Sequence, residues 1–216
     1  GNSFQGSAAT STSTNTALIY ESADEINNLS FTNNTFNGGS YATYLLMTSS
    51  NPSDTLIFTN NSINTLAYGL YTGYWTYVEA LDNDIVLTGG TTNYGIRTYG
   101  ISSGSAPVNA RVRIEGNSVQ LNGSSTLYGI YVYYMNSLSN DPSTVINNMV
   151  YFSPNSSSTN YGIYTYHLAN VNFYHNTIDI ESGSSTARCA YFSGSTSTTT
   201  FTPGNVEVRN NIFTNY

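Results

Sequence analysis

Seven asparagines of this chain stand in one small frame, with an apolar residue three positions before each and another two positions after. They are Asn34, Asn61, Asn83, Asn117, Asn148, Asn176 and Asn211, in stretches such as Phe58-Thr59-Asn60-Asn61-Ser62-Ile63 and Phe173-Tyr174-His175-Asn176-Thr177-Ile178. The interval between them runs from 22 residues (Asn61 to Asn83) to 35 (Asn176 to Asn211). Self-similarity at this spacing, carried by short alternating segments with no helical period, predicts a solenoid whose coils stack along one axis. Such an array grows by stacking and needs no second core, so residues 1–216 are expected to form one domain.

Each coil resolves into three strands. Five and three residues before the anchor the positions are apolar, as in Leu56 and Phe58, Val112 and Ile114, and Val171 and Phe173. Two and four residues after it they are apolar again, as in Ile85 and Leu87, Val119 and Leu121, and Ile178 and Ile180. Both segments have the period of two that places one strand face inward. The parity slips by one between them, so the chain must bend just before the anchor. The residues there, Asn33, Asn60, Asp82, Gly116, Asn147, His175 and Asn210, are mostly of the types that tolerate a left-handed corner. Ser143 stands where an apolar residue is expected and weakens one inward site.

The third strand carries a repeated tetrad: Tyr68-Gly69-Leu70-Tyr71, Tyr94-Gly95-Ile96-Arg97, Tyr128-Gly129-Ile130-Tyr131 and Tyr161-Gly162-Ile163-Tyr164. Regular alternation puts Leu70, Ile96, Ile130 and Ile163 inside. It puts Gly69, Gly95, Gly129 and Gly162 outside with Tyr71, Arg97, Tyr131 and Tyr164. Arg97 sets the facing, because an unpaired charge is costly to bury. Two outer columns follow, Tyr71-Arg97-Tyr131-Tyr164 and Tyr99-Tyr133-Tyr166. Segments rich in Ser, Thr, Asn, Gly and Pro, namely 50–53, 102–107, 137–143, 153–160 and 193–203, read as loops that leave the coil corners and make the period irregular.

The corner asparagine and the inward rows of Val, Ile and Phe resemble those of right-handed parallel β-helices of the pectate-lyase-like superfamily, in its general secreted and surface form. The resemblance covers essentially the whole chain and implies an all-β, right-handed parallel β-helix solenoid of about seven coils of three short strands. That superfamily holds polysaccharide lyases, glycoside hydrolases, tailspikes and surface proteins, so the fold alone does not select an activity.

Composition narrows the choice. Charged residues make up 8% of the chain, all five Lys+Arg are arginines, and the net charge is −7. This disfavours nucleic acid and anionic membranes, which require a basic footprint. No segment has the roughly 18 to 20 apolar residues of a membrane-spanning helix. Cys189 is alone, which excludes an intrachain disulfide. No cofactor or metal is called for, since His167 and His175 lack a neighbouring Cys or acidic cluster. The carboxylates to consider as an acid and base pair are Asp82, Asp84 and Glu115, with Asp179 and Glu181 further on. Asp82 also fills a corner slot, so a turn role competes with catalysis there.

Polysaccharide contacts are expected, if anywhere, from Trp75 and the column Tyr99, Tyr133 and Tyr166, with a lid over the core edge as the alternative role of Trp75 and a stacked structural ladder as that of the tyrosines. Glycosylation candidates are Asn122-Gly123-Ser124 and Asn155-Ser156-Ser157, which match the N-linked acceptor pattern, and Thr55 in Asp54-Thr55-Leu56, which resembles an O-linked pattern of secreted bacterial proteins. Gly1-Asn2-Ser3-Phe4-Gln5 repeats the phase of Gly116-Asn117-Ser118-Val119-Gln120, and Asn210-Asn211-Ile212-Phe213 closes in the same phase. The expected function is a non-enzymatic extracellular or cell-surface rod or filament subunit whose copies join head to tail through edges at Phe4 and Phe213. A carbohydrate-binding or adhesive rod is the alternative, and a polysaccharide lyase or hydrolase the third reading.

Overall fold

The computed structural model describes residues 1–22, 25–100, 110–153, 159–181, 184–194 and 204–216. The chain winds into a right-handed parallel β-helix in which every strand pairs in parallel with its counterpart one coil away. The strands that follow the anchors form one eight-stranded sheet, running from Ser3–Gln5 through Ser62–Thr65, Asp84–Leu87 and Ser118–Leu121 to Ile212–Asn215. The other strands form a thirteen-stranded sheet folded into two flanks. One flank holds the tyrosine strands Tyr41–Leu46, Tyr68–Gly73, Thr92–Tyr99 and Thr126–Asn136. The other holds Ser53–Thr59, Trp75–Leu81, Arg111–Glu115 and Ser143–Ile146. Asn160–Tyr174 runs through both flanks as a single strand of 15 residues. The only helical element among the described residues is a short 3-10 turn at Thr14–Thr16.

The interior is built from rows of like side chains. In the anchor sheet Phe4, Phe36, Ile63, Ile85, Val119, Val150, Ile178 and Phe213 lie in one register line. The facing flank supplies Phe31, Phe58, Ala80, Ile114, Val145, Phe173 and Val208. Between the ends these rows are closed to solvent, with Phe36, Phe58, Ile85, Ile114 and Val150 each 0% exposed. Away from the end coils the inward positions of the strand pattern are buried, as Leu56, Leu70, Ile96, Val112, Leu121, Ile130, Ile163, Val171 and Ile180 show. Ser143 also points inward, but its hydroxyl accepts the Val112 N–H at 2.8 Å and meets Ser137 Oγ at 2.5 Å. The polar residue is therefore satisfied in place.

The bend before each anchor is left-handed throughout: φ is 58° at Asn33, 53° at Asn60, 51° at Asp82, 68° at Gly116, 55° at Asn147, 56° at His175 and 54° at Asn210. A side chain at Gly116 would collide with the Asp82 carboxylate, 2.2 Å from where its Cβ would stand. The bend turns each anchor amide into the core, where it meets the next. Asn83 N–H and Nδ2 both donate to Asn117 Oδ1 at 3.0 and 2.9 Å, and Asn117 donates likewise to Asn148 at 3.1 and 2.9 Å. The second Nδ2 hydrogen goes back one coil, from Asn117 to the Ala80 carbonyl at 2.9 Å and from Asn148 to the Ile114 carbonyl at 2.9 Å. Asn34, Asn61, Asn148 and Asn176 continue the same relation along the stack.

Asn117→Ala removes the acceptor of two donors and the donor of a buried carbonyl and a buried Oδ1, and a buried unsatisfied group costs about 1–3 kcal/mol. The expected loss is on the order of 4 kcal/mol in urea unfolding, with Asn117→Asp at least as harmful because it also buries a charge. A loss below about 1 kcal/mol, the scale of an ordinary net hydrogen bond, would show that the ladder is not what holds the coils in phase.

Candidate functional site

The tyrosine flank presents its outer face to solvent, and the tetrads fill it in an unexpected way. Gly69, Gly95, Gly129 and Gly162 face inward, contrary to regular alternation. A Cβ on Gly95 would lie 2.3 Å from Val119 Cγ1 and 2.6 Å from the Gly129 carbonyl, and one on Gly162 would lie 2.1 Å from Ile178 Cγ2. The strand lacks space for any side chain there, because the anchor-sheet row passes directly beneath it. Two consecutive residues of each tetrad therefore face in, and both of its ends face out.

This creates a column absent from the sequence expectation. Tyr41, Tyr68, Tyr94, Tyr128 and Tyr161 stack at 4.1, 5.2, 4.7 and 5.1 Å between ring centroids. Beside it runs the expected column, with Tyr44 on Tyr71 at 4.7 Å and Tyr131 on Tyr164 at 4.8 Å. Rings of the two columns meet edge to face, as Tyr128 and Tyr131 do at 84°. Aligning the first tyrosine of each tetrad would have revealed the missed column. The third column is also present: Tyr133 stacks on Tyr166 at 5.0 Å, while Tyr99 meets Tyr133 edge-on at 6.4 Å, and all three are half-buried.

Arg97 takes the tyrosine slot between Tyr71 and Tyr131. Its guanidinium carbon lies 4.3 Å from the Tyr71 ring centroid and 5.0 to 5.5 Å from those of Tyr99, Tyr94 and Tyr131. It faces outward as expected, yet rings rather than water form much of its surroundings, and cation–π attraction holds the charge there. The same crowding acts on the phenols. Burial pushes Tyr128 and Tyr131 up to about 12, and it raises Tyr68, Tyr94 and Tyr99 as well, with Arg97 acting in the opposite direction.

The remaining sequence candidates fall in different places. Trp75 is not a glycan platform. It is 2% exposed within the core, and its Nε1–H donates to the Leu45 carbonyl at 3.2 Å. Tyr74 just before it adopts φ 63°, and this corner turns the indole inward. Asp82 and Asp84 are exposed on the corner and the strand that follows. Glu115 is held elsewhere, by Arg113 at 2.8 Å and by the Thr144 hydroxyl at 2.8 Å, with Glu79 also 3.3 Å from Arg113. Asp179 accepts from Thr214 Oγ1 at 2.8 Å, and Glu181 accepts from the Tyr151 hydroxyl at 3.3 Å.

Thr55 is half-buried inside a strand of the second flank, and Asn122 is half-buried just after Ser118–Leu121. Asn155 lies outside the described residues, as do residues 102–107. Cys189 is half-buried, its thiol donating to the Thr214 carbonyl at 3.2 Å, and burial raises its pKa. No group of His, Cys, Asp and Glu with metal-holding geometry occurs among the described residues, and no described helix is long and apolar enough to cross a membrane.

The end coils differ from the middle. Phe4 is half-buried and stacks on Phe36 at 4.8 Å. At the other end Val206, Val208 and Phe213, members of rows that are closed elsewhere, are 38%, 44% and 41% exposed. Comparisons with family models, with curated proteins and with solved structures found no match.

A phenol whose folded pKa is raised above the unfolded value of about 10 adds stability that is complete below that pH. As pH rises through the folded value the native state holds more protons than the unfolded one, and the stability is lost. Tyrosinate absorbance in the near ultraviolet should therefore lag behind that of the urea-unfolded chain above about pH 10 and then rise together with unfolding. Coincident titration of the folded and unfolded chains would show that the columns are not packed in solution.

Proposed function

We propose that this chain is a non-enzymatic structural β-helix of an extracellular or cell-surface rod, and that its copies extend the rod by stacking end to end. The observation that carries this reading is the continuous asparagine ladder, which holds every coil in one phase and keeps like side chains in rows along the stack. A sheet edge that shows both apolar rows and strand hydrogen-bonding groups is a template for further strands. A second copy supplies the matching surface. One more step of the asparagine relation takes the Asn211 N–H to Asn2 Oδ1 of the next copy, as Asn2 N–H meets Asn34 Oδ1 at 2.9 Å within one copy. The same step lays Phe4 over Phe213. A heterologous contact of this kind propagates as an open filament.

The carboxylates support a structural role in preference to a catalytic one, because Asp82 makes a corner and Glu115 is tied into the Glu79-Arg113-Glu115 cluster. Carbohydrate binding stays the second reading, supported by the half-buried Tyr99, Tyr133 and Tyr166 on an outer face. It ranks lower because stacking covers the ring faces a sugar would use.

The net charge of −7 opposes association, and salt screens it over about 10 Å at 0.1 M, so growth should strengthen with ionic strength. Light scattering and electron microscopy across a salt series are expected to show elongating particles. Phe213→Glu, at an exposed end position, should remain folded by circular dichroism and stay monomeric. A monodisperse wild-type monomer at high concentration and high salt would reject end-to-end growth. Retention of a defined glycan without assembly would favour the second reading.

A further inference from the structure

The outer tyrosine columns bring phenols into contact across coils in a chain that has no disulfide to tie those coils together. Tyr20 begins one column. It is 54% exposed, and its ring stacks on that of Tyr44 at 5.2 Å with 10° between the planes. The two residues are also direct register partners, so their backbones are one strand spacing apart. Tyr44 then stacks on Tyr71, and beyond Tyr71 the column is interrupted by Arg97. We propose that Tyr20 and Tyr44 are an oxidative cross-linking site, joined as dityrosine by a haem peroxidase with hydrogen peroxide.

The chemistry balances within that pair and its oxidant. Each phenol gives up one electron and its hydroxyl proton, leaving a phenoxyl radical whose unpaired electron is shared with the ring carbons ortho to oxygen. Two such carbons, one from each ring, form the new C–C bond. Each ring then moves its ortho proton to oxygen and regains aromaticity. One hydrogen peroxide accepts the two electrons and two protons and leaves as two waters. The product is the same chain less two hydrogen atoms, with neighbouring coils joined covalently.

Position selects this pair over the others. An enzyme-sized oxidant needs an accessible ring, and Tyr20 is far more open than Tyr41 and Tyr68, which are 7% and 9% exposed. Its partner is already stacked on it, so the second radical forms where the first can reach it. Arg97 places a positive charge against Tyr71 and Tyr131, which disfavours electron loss from both rings and separates the start of the column from its continuation. Tyr164 and Tyr191, stacked at 5.2 Å on the far side of Arg97, are less parallel at 29°.

The test is peroxidase treatment of the dispersed chain in dilute, low-salt solution, where copies are kept apart. Dityrosine fluorescence should appear in the monomer band with loss of two hydrogens by intact mass. Peptide mapping should join the peptide of Tyr20 to that of Tyr44. Tyr20→Phe should lose this linked peptide, whereas Tyr216→Phe, at the 80% exposed Tyr216, should keep it. In urea the pairing should scatter over the 20 tyrosines of the chain. Linked peptides that pair Tyr20 mainly with other tyrosines, or the same pairing pattern in folded and unfolded chains, would overturn the proposal. So would cross-links found only between chains.

Discussion

The amide of the anchor asparagine is the constraint to which the rest of this structure conforms. The anchor amides from Asn61 to Asn176 use their full capacity: Oδ1 accepts two hydrogens from the coil before, and Nδ2 donates to the coil on either side. No other side chain of this length carries both an acceptor and a two-hydrogen donor. Aspartate would bury a charge, and glutamine would not keep the amide at the bend. Since a buried polar group must be paired, one coil out of phase would leave two amides and a backbone carbonyl unsatisfied. The ladder therefore fixes the angular position of every coil. It also explains how intervals of 22 and 35 residues coexist in one stack: length differences are absorbed away from the anchor corner.

Once phase is fixed, like stacks on like, and each outer face acquires a one-dimensional chemistry. The tyrosine flank becomes columns of rings at 4.1 to 5.2 Å, each such pair worth about 0.5–1.5 kcal/mol beyond its buried area. The second flank becomes a line of charge, with Arg113 between Glu79 and Glu115 and with Arg111 on Asp141. Arg97 is the informative exception. Placed in a column of phenols it has the four neighbouring rings as partners, and the column survives on either side of it. A point replacement is tolerated because the asparagine ladder, and not the tyrosines, sets the register.

The features legible in the sequence were those governed by strict parity or by a required φ. Asn60, Asp82 and Gly116 could be placed at left-handed corners because few residue types adopt that conformation, and Leu56 with Phe58 could be placed inside because strand period is two. Parity failed where the backbone departs from regular alternation. In Tyr94-Gly95-Ile96-Arg97 two adjacent residues face in, and the reason is steric: the Val119 row occupies the space of a Cβ at Gly95. That crowding comes from another strand and leaves no local mark beyond the glycine itself. Trp75 was misplaced for a related reason. It has no repeat partner, and the positive φ of Tyr74 that turns it inward belongs to a residue type that seldom adopts one. Ser143 looked like a weak point because its partner Ser137 lies in a segment expected to be loop.

Val206, Val208 and Phe213 set a scale for what the proposed end-to-end contact would supply. Full burial of a Val- or Phe-sized side chain is worth about 1.5–3 kcal/mol. Val206, Val208 and Phe213 are each already more than half buried, so closing them yields a few kcal/mol in all. Association costs an estimated 4–15 kcal/mol in lost translational and rotational freedom. Apolar burial alone is therefore too small to drive the proposed stacking, which would depend on backbone hydrogen bonds between strand edges and on one further asparagine step. Those contacts are directional. They form only when the incoming coil arrives in phase, so the same amide geometry that orders the interior would also determine which surfaces this end coil accepts.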